Sequence, residues 1–293
     1  MKPIFIVLSI CLIFLILLLI LIMCLLYLYT PLKYISVVID GRLGNQFFEI
    51  ISSWAYAKKY NMKFALASDY LKQNQKYYNN FFSTIKLKEK SEFFRSFEEK
   101  KYVPYENISN IIPNSNKEGI LIRSYLQNSN NFNNYRDEIL NNFFNITSVK
   151  PSNNKFFIHI RLTDFKTSKN HIMDLSNYYR KAIAYLSSKV DLTKIVMHVV
   201  SDDIEGARKE SYLSLIPNQS LVFIDNNKYD DIKTLELFKE CCGGAIIGHS
   251  TYAWWGAYII NCPSKIVVCP NKFLNVDEED YSGFYLNYKV IEV

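Results

Sequence analysis

The chain has 293 residues, 49% of them hydrophobic and 15% aromatic. It is too apolar for a disordered polymer and long enough to bury one large core or two small ones. The net charge of +6 is mild. Lysine-rich stretches at residues 86–90 and 98–101 interleave acids, the pattern of solvated faces rather than of a nucleic-acid footprint. No fixed-period repeat is present, and Asn clusters in segments such as 128–134.

Residues 4–29 carry no charge and are almost wholly Ile, Leu, Val, Phe and Met. About 20 apolar residues suffice for a helix to cross a bilayer, so this run predicts an uncleaved membrane anchor. A cleaved signal would have a shorter apolar region and a small-residue site. Lys2 precedes the run and Lys33 follows it, so the charge bias is small. The sequons at Asn107, Asn145 and Asn218 all lie after the run and point to a lumenal body. Cys11 and Cys24 sit within the apolar segment. Cys241, Cys242, Cys262 and Cys269 can pair in an oxidising compartment, and the adjacent pair lacks the spacing of a zinc site.

After the apolar run, short β-branched strands alternate with helices. Residues 34–39 read as a strand and 47–60 as a helix. Further strands are expected at 156–160, 195–200, 221–224, 245–247 and 265–268, with helices at 177–189, 205–210 and 231–240. Near-continuous apolar strands with intervening helices imply parallel sheets covered on both faces. The stretch 69–117 shows no obvious core strand, so two α/β halves dividing near Pro151 are expected.

The chemically rich segments all follow strands, where open α/β sheets bind ligands. Residues 41–46 (GRLGNQ) join a strand to a helix and offer Arg42, Asn45 and Gln46, either as a site or as a plain turn. His159 and Arg161 share one face of the next strong strand. Arg161 can grip a diphosphate or belong to a structural ion pair, with Asp164 orienting it. Asp202 and Asp203 can accept from a guanine edge or ribose, or Ser201 or Asp202 can cap the next helix. Ser250 and Thr251 at a helix start can bind phosphate, while Trp254 and Trp255 read as scaffold.

Taken in order, these segments resemble the family 11 glycosyltransferases, the galactoside α-1,2-fucosyltransferases. Residues 41–46 are similar to the family's Gly-x-Leu-Gly-Asn-Gln opening. Residues 124–127 with Tyr135, Ile139 and Phe143 are similar to its Gly-Tyr-Phe-Gln-Ser segment, and 159–164 to its His-x-Arg-Arg-Gly-Asp block. Tyr178, Tyr179, Ala182 and Ile183, then 201–203 and 250–257, resemble later blocks. Three departures stand out: Leu162 replaces the second Arg, His249 replaces an Asn, and almost no stem separates the apolar run from Tyr34.

The resemblance implies an α/β fold with two Rossmann-like halves facing a crevice, the GT-B type, preceded by one transmembrane helix. Residues 1–33 would be tail and anchor, 34–150 the acceptor-side half and 151–293 the GDP-sugar half. It further implies GDP-fucose as donor, no metal or other cofactor, and inverting transfer to a galactose-terminated glycan in α-1,2 linkage, in the Golgi membrane as a single-pass type II protein. Arg161 would anchor the diphosphate with His159 behind it, and Asn45 and Gln46 would lie near the transferred sugar. Asp40 and Asp164 are the candidate bases. The alternatives are transfer to a protein hydroxyl, or binding of a nucleotide sugar or glycan without transfer.

The sequons give a direct test of topology. Expressed through a secretory pathway, the chain is expected to carry glycan at one or more of Asn107, Asn145 and Asn218, read as a gel shift on glycosidase treatment. No shift, together with cleavage by a protease added to the cytosolic side, would remove the lumenal assignment.

Overall fold

The structure, a computed structural model, describes residues 12–23, 34–89, 95–98, 120–163, 172–274 and 281–293. Residues 12–23 form helix α1, with every side chain exposed. The rest of the expected span, 4–11 and 24–29, lies outside the described residues, as do Asn107 and Asp164. No helix among the described residues is long and apolar enough to cross a membrane. Tyr34–Val293 forms a compact unit of its own.

That unit contains two parallel sheets. The first is built from β1 (Tyr34–Val37), β2 (Lys63–Ala67), β3 (Lys86–Lys88), β4 (Arg95–Glu98) and β5 (Ile120–Arg123), in the order β3-β2-β1-β5-β4. Helix α2 (Leu43–Lys59) crosses from β1 to β2, and α3 (Leu71–Tyr77) follows β2. Helix α4 (Arg136–Phe144) leads to the second sheet. Its strands are β6 (Lys155–Ile160), β7 (Val196–Ser201), β8 (Leu221–Phe223), β9 (Gly244–Ile247), β10 (Ile266–Pro270) and β11 (Lys289–Ile291). The connecting helices are α5 (Ser176–Ser187), α6 (Ile204–Ala207), α7 (Asp231–Lys239), α8 (Thr251–Ile259) and α9 (Ser282–Tyr285).

The second sheet runs β11-β10-β9-β6-β7-β8 with every described pairing parallel, the order of a doubly wound nucleotide-binding sheet. Strand order reverses between β6 and β9 there, and between β1 and β5 in the first sheet. The carboxyl ends at these reversals are where such sheets open a crevice.

Both faces of the second sheet are covered, as the continuous apolar strands imply. Phe156, Ile158 and Ile160 pack with Tyr178, Ala182 and Ile183 of α5. Phe157, Ala245 and Ile247 turn the other way, into a cluster that continues through α8 to Phe47, Phe48, Ile50 and Ile51 of α2. The two sheets therefore share one apolar core. Trp254 and Trp255 are fully buried in it. Phe48 lies 4.8 Å from the Trp254 ring, and Phe132 stacks on Trp255 at 5.2 Å. The tandem Trp is scaffold.

The segment expected to lack core strands contributes β3 and β4, and the flanking β2 and β5 were equally unexpected. These strands are three to five residues long, too short for a period-2 pattern to develop. Helix α2 also begins earlier than expected, at Leu43 rather than near residue 47. Gly41, at φ +74°, turns the chain directly out of the strand.

Candidate functional site

Strand register assembles the site. In the first sheet Val37 stands beside Ile122, which carries Asp40 and the turn 41–46 up alongside Tyr125 and Gln127. In the second, Ile160 stands beside Ser201 and His159 beside Ile247. Arg161 therefore emerges next to Asp202, with Gly248 and His249 on its other side.

The two edges meet at the N-termini of α2 and α8. Gly44 makes the approach possible, since a Cβ there would lie 2.6 Å from the Thr251 hydroxyl and collide with the Tyr252 backbone nitrogen. Asn45 fastens the junction. Its Oδ1 accepts from Gln127 Nε2 at 3.0 Å and from Thr251 Oγ1 at 2.9 Å. Asn45 and Thr251, both expected at the site, are thus brought into contact across 206 residues of sequence.

Gln46 is buried and fully engaged. Its Nε2 donates to Gly41 O at 3.2 Å and Asn74 Oδ1 at 3.0 Å, and its Oε1 accepts from the Tyr70 hydroxyl at 2.9 Å. It braces the turn against α3 and is not presented to a ligand. Arg42 is the exposed N-cap of α2. Ser250 is buried at the N-cap of α8, where its hydroxyl accepts from Ala253 N at 3.5 Å.

Arg161 is held from the side. Its Nε lies 3.1 Å from Asp202 Oδ2, and its side chain is 14% exposed. Asp202 also accepts from Leu162 N at 2.8 Å, Thr163 N at 3.2 Å and the Thr163 hydroxyl. Burial pushes the Asp202 carboxyl up, but the Thr163 hydroxyl, the Leu162 N–H, the Arg161 charge and the Thr163 N–H together pull it below the ordinary value. Asp202 is committed to this turn rather than offered to a guanine, and Asp203 caps α6 through Gly206 N at 2.8 Å. Arg161, Leu162 and His249 line a cavity of about 170 Å³ together with Asp174, Tyr179 and Glu210.

His159 is 3% exposed, with its ring 6.3 Å from that of Tyr252. Burial first, then the Arg161 charge, lowers its pKa to about 3 against a partial offset from Asp202. Beside Arg161 it is a neutral ring and adds no second cation.

Leu162, which replaces the second Arg of the family block, is 8% exposed and packs in the apolar cluster under α5 while lining the same cavity as Arg161.

Sequence reasoning missed Gln127 as a partner of Asn45, and it missed Glu49. Glu49 is 1% exposed on α2, and both of its carboxylate oxygens accept from Asp40 N, at 3.2 and 3.1 Å. An acid among Phe47, Phe48, Ile50 and Ile51 was the available signal.

Comparison with known proteins adds four findings. The profile of glycosyl transferase family 11 matches residues 136–282. The O-antigen biosynthesis glycosyltransferase WbnK of Escherichia coli is 29% identical over 196 residues, 59% of this chain and 63% of its own length. An α-1,2-colitosyltransferase of Escherichia coli is 27% identical over 138 residues, 45% of this chain and 46% of its own. The chain thus spans less than two thirds of either relative. Among solved structures, NodZ α-1,6-fucosyltransferase soaked with GDP-fucose matches with a TM-score of 0.44 and 11% identity, over 78% of this chain and 93% of that one.

Two outcomes follow. Leu162→Arg forces a longer, charged side chain into the apolar cluster under α5 and is expected to lower the melting temperature by several degrees and to reduce folded yield. A variant as stable as the parent would place residue 162 at the surface. His159, with a folded pKa of about 3 below its unfolded value of about 6.5, binds its proton more readily when unfolded. Its contribution is intact above about pH 6.5 and is lost as pH falls towards 3. Between pH 7 and 4 the urea midpoint of the parent should fall more steeply than that of His159→Gln. Parallel curves would contradict a buried neutral ring.

Proposed function

The chain belongs to glycosyl transferase family 11, and from that premise we propose that it transfers L-fucose from GDP-fucose, with inversion, to a hydroxyl of a galactose-terminated glycan in α-1,2 linkage. The observation that carries this reading is the meeting of two sheet-reversal points, one bearing Arg161 fixed by Asp202, the other bearing the Asn45 turn. The leaving group is a nucleoside diphosphate, so the main demand is for positive potential where its charge develops. A planar guanidinium held at Nε and the N-terminus of α8 supply that potential. No metal or other cofactor is invoked.

The two parallel sheets support the GT-B reading, with 34–150 on the acceptor side and 151–293 on the GDP-sugar side. A cavity of about 320 Å³ over β1, β2 and β5 suits the acceptor. Asp69, Lys72, Gln73 and Asn74 offer polar groups to sugar hydroxyls, and Tyr70 offers an aromatic wall. Tyr70 and Asn74 are also the residues that grip Gln46, so this wall is tied to the turn carrying Asn45. The apolar stretch 4–29 supports tethering to a membrane. The Golgi assignment rests on that stretch and the sequons, whereas both relatives above are bacterial.

Arg161 is the test. Arg161→Ala should lower turnover at least a hundredfold, on the scale of losing one oxyanion-type donor. Arg161→Lys keeps the charge but loses the fork and should still be severely impaired. Initial rates against GDP-fucose, with GDP-colitose as the competing donor and melting curves as the folding control, decide the matter. If Arg161→Ala melts like the parent and turns over normally, the donor site lies elsewhere.

A further inference from the structure

We propose that Asp40 accepts the proton of the acceptor hydroxyl, and that Glu49 is the positioning residue that holds Asp40 in place for it. The inference rests on the transfer reaction proposed above.

Glu49 lies on the buried face of α2 beside Phe48 and Ile50. Placing a carboxyl there is unfavourable unless its oxygens find donors. Both oxygens accept from a single group, the backbone N–H of Asp40. That residue follows β1 at the reversal point of the first sheet. A buried acid is thus devoted to fixing one main-chain position at the mouth of the crevice, where a neutral side chain would satisfy the same N–H with less desolvation.

The Asp40 carboxyl is exposed and held in turn. Its Oδ1 accepts from Gly41 N at 2.8 Å, and the Tyr125 hydroxyl hydrogen-bonds to it from the end of β5. Asp40 stands between the two parts of the proposed site. Val38 and Ile39, just before it, line the acceptor cavity, and Gly41 to Asn45, just after it, lead to Thr251. An acceptor in that cavity would bring its hydroxyl past Asp40 towards the donor.

The electrostatics agree with this arrangement. Burial raises the Glu49 carboxyl well above its ordinary value, the Asp40 N–H pulls it back, and the Asp40 charge raises it further. The other titratable groups facing Glu49 are Tyr70 and Tyr125, both raised chiefly by burial.

The step balances. The acceptor oxygen bonds to the anomeric carbon of fucose, and its proton passes to the Asp40 carboxylate. The anomeric carbon–oxygen bond to the β-phosphate breaks, its electron pair leaves with GDP, and Asp40 later returns the proton to water.

The test uses the full chain in detergent, with GDP-fucose and lactose as the acceptor probe. Asp40→Asn should lower kcat for transfer at least about a hundredfold, the usual span of general-base catalysis. KM for GDP-fucose should stay within about twofold of the parent, release of GDP into water should persist, and the acidic limb of the kcat/KM profile should vanish. Glu49→Asp keeps a carboxyl but shortens its reach, so kcat should fall about tenfold or more while KM for GDP-fucose stays unchanged. Glu49→Gln keeps the reach and can accept from Asp40 N, so it should restore kcat to within about threefold of the parent. Transfer by Asp40→Asn above a tenth of the parent's would overturn the role of Asp40. Equal activity of Glu49→Asp and Glu49→Gln, or losses that follow melting temperature or appear in KM for GDP-fucose, would overturn that of Glu49. A parent that binds GDP but moves fucose to neither lactose nor water would instead defeat the functional reading, and this inference with it.

Discussion

Two helix N-termini approach each other where Gly44 of α2 meets Thr251 and Tyr252 of α8, and the arrangement of the site depends on that contact. Each N-terminus carries the positive end of a helix dipole, so their proximity is unfavourable unless an electron-rich group lies between them. The Asn45 Oδ1 is that group, accepting from Thr251 on one side and Gln127 on the other. It is a neutral oxygen and compensates only part of the potential. An anion arriving at the junction completes the compensation, so the same geometry that joins the two sheets favours a negatively charged ligand between them.

The contact requires that α8 cannot retreat, and its opposite end shows how it is held. Lys265 Nζ donates to Ala257 O at 2.7 Å and Ile260 O at 2.8 Å. The Arg136 guanidinium donates to Tyr258 O at 3.0 Å and Ile260 O at 3.1 Å. Two cations thus satisfy the carbonyls a helix C-terminus leaves open and complement its negative end. Burial, with the nearby Arg136 charge, brings Lys265 down to about 7, a measure of how dry this end is. Between the two ends, Trp254 and Trp255 fill the space against Phe48 and Phe132. The tandem Trp therefore serves the site at a distance, by fixing the axis along which Thr251 is presented.

How much of this was legible follows from the length and burial of each element. The second sheet's strands are apolar, carry β-branched residues and are bounded by polar turns, so β6, β7, β9 and β10 stood out and their carboxyl ends could be picked as ligand-binding. The first sheet was largely invisible, because β3 reads Lys-Leu-Lys and β5 is four residues long. Such strands are specified by their neighbours rather than by their own pattern. Of the candidate residues, Asn45, Thr251 and Arg161 could be picked out because each follows a strand or opens a helix, and the structure sets Asn45 against Thr251 and Arg161 against Asp202. Gln46 was misjudged because a polar side chain beside a loop looks the same whether it faces a ligand or, as here, Tyr70 and Asn74. Glu49 was overlooked for the opposite reason, since it lies within a helix, away from any loop.

The strand carrying Arg161 reconciles two readings that looked exclusive. A structural ion pair was the alternative to a ligand-binding Arg, yet the pair formed with Asp202 engages Nε at the side of the guanidinium. A group that must meet charge appearing in a transition state gains from being fixed beforehand, even if its partner offsets part of its charge. The same strand explains Leu162. Side chains alternate between faces, so Phe157 and His159 look towards α7 and α8, where Phe157 stacks on Phe238 and His159 lies near Tyr252. Ile158, Ile160 and Leu162 look towards α5 and are buried with it. Leu162 follows the strand and joins that cluster. The missing second arginine therefore gives no reason to regard this chain as a binding protein that has lost its chemistry.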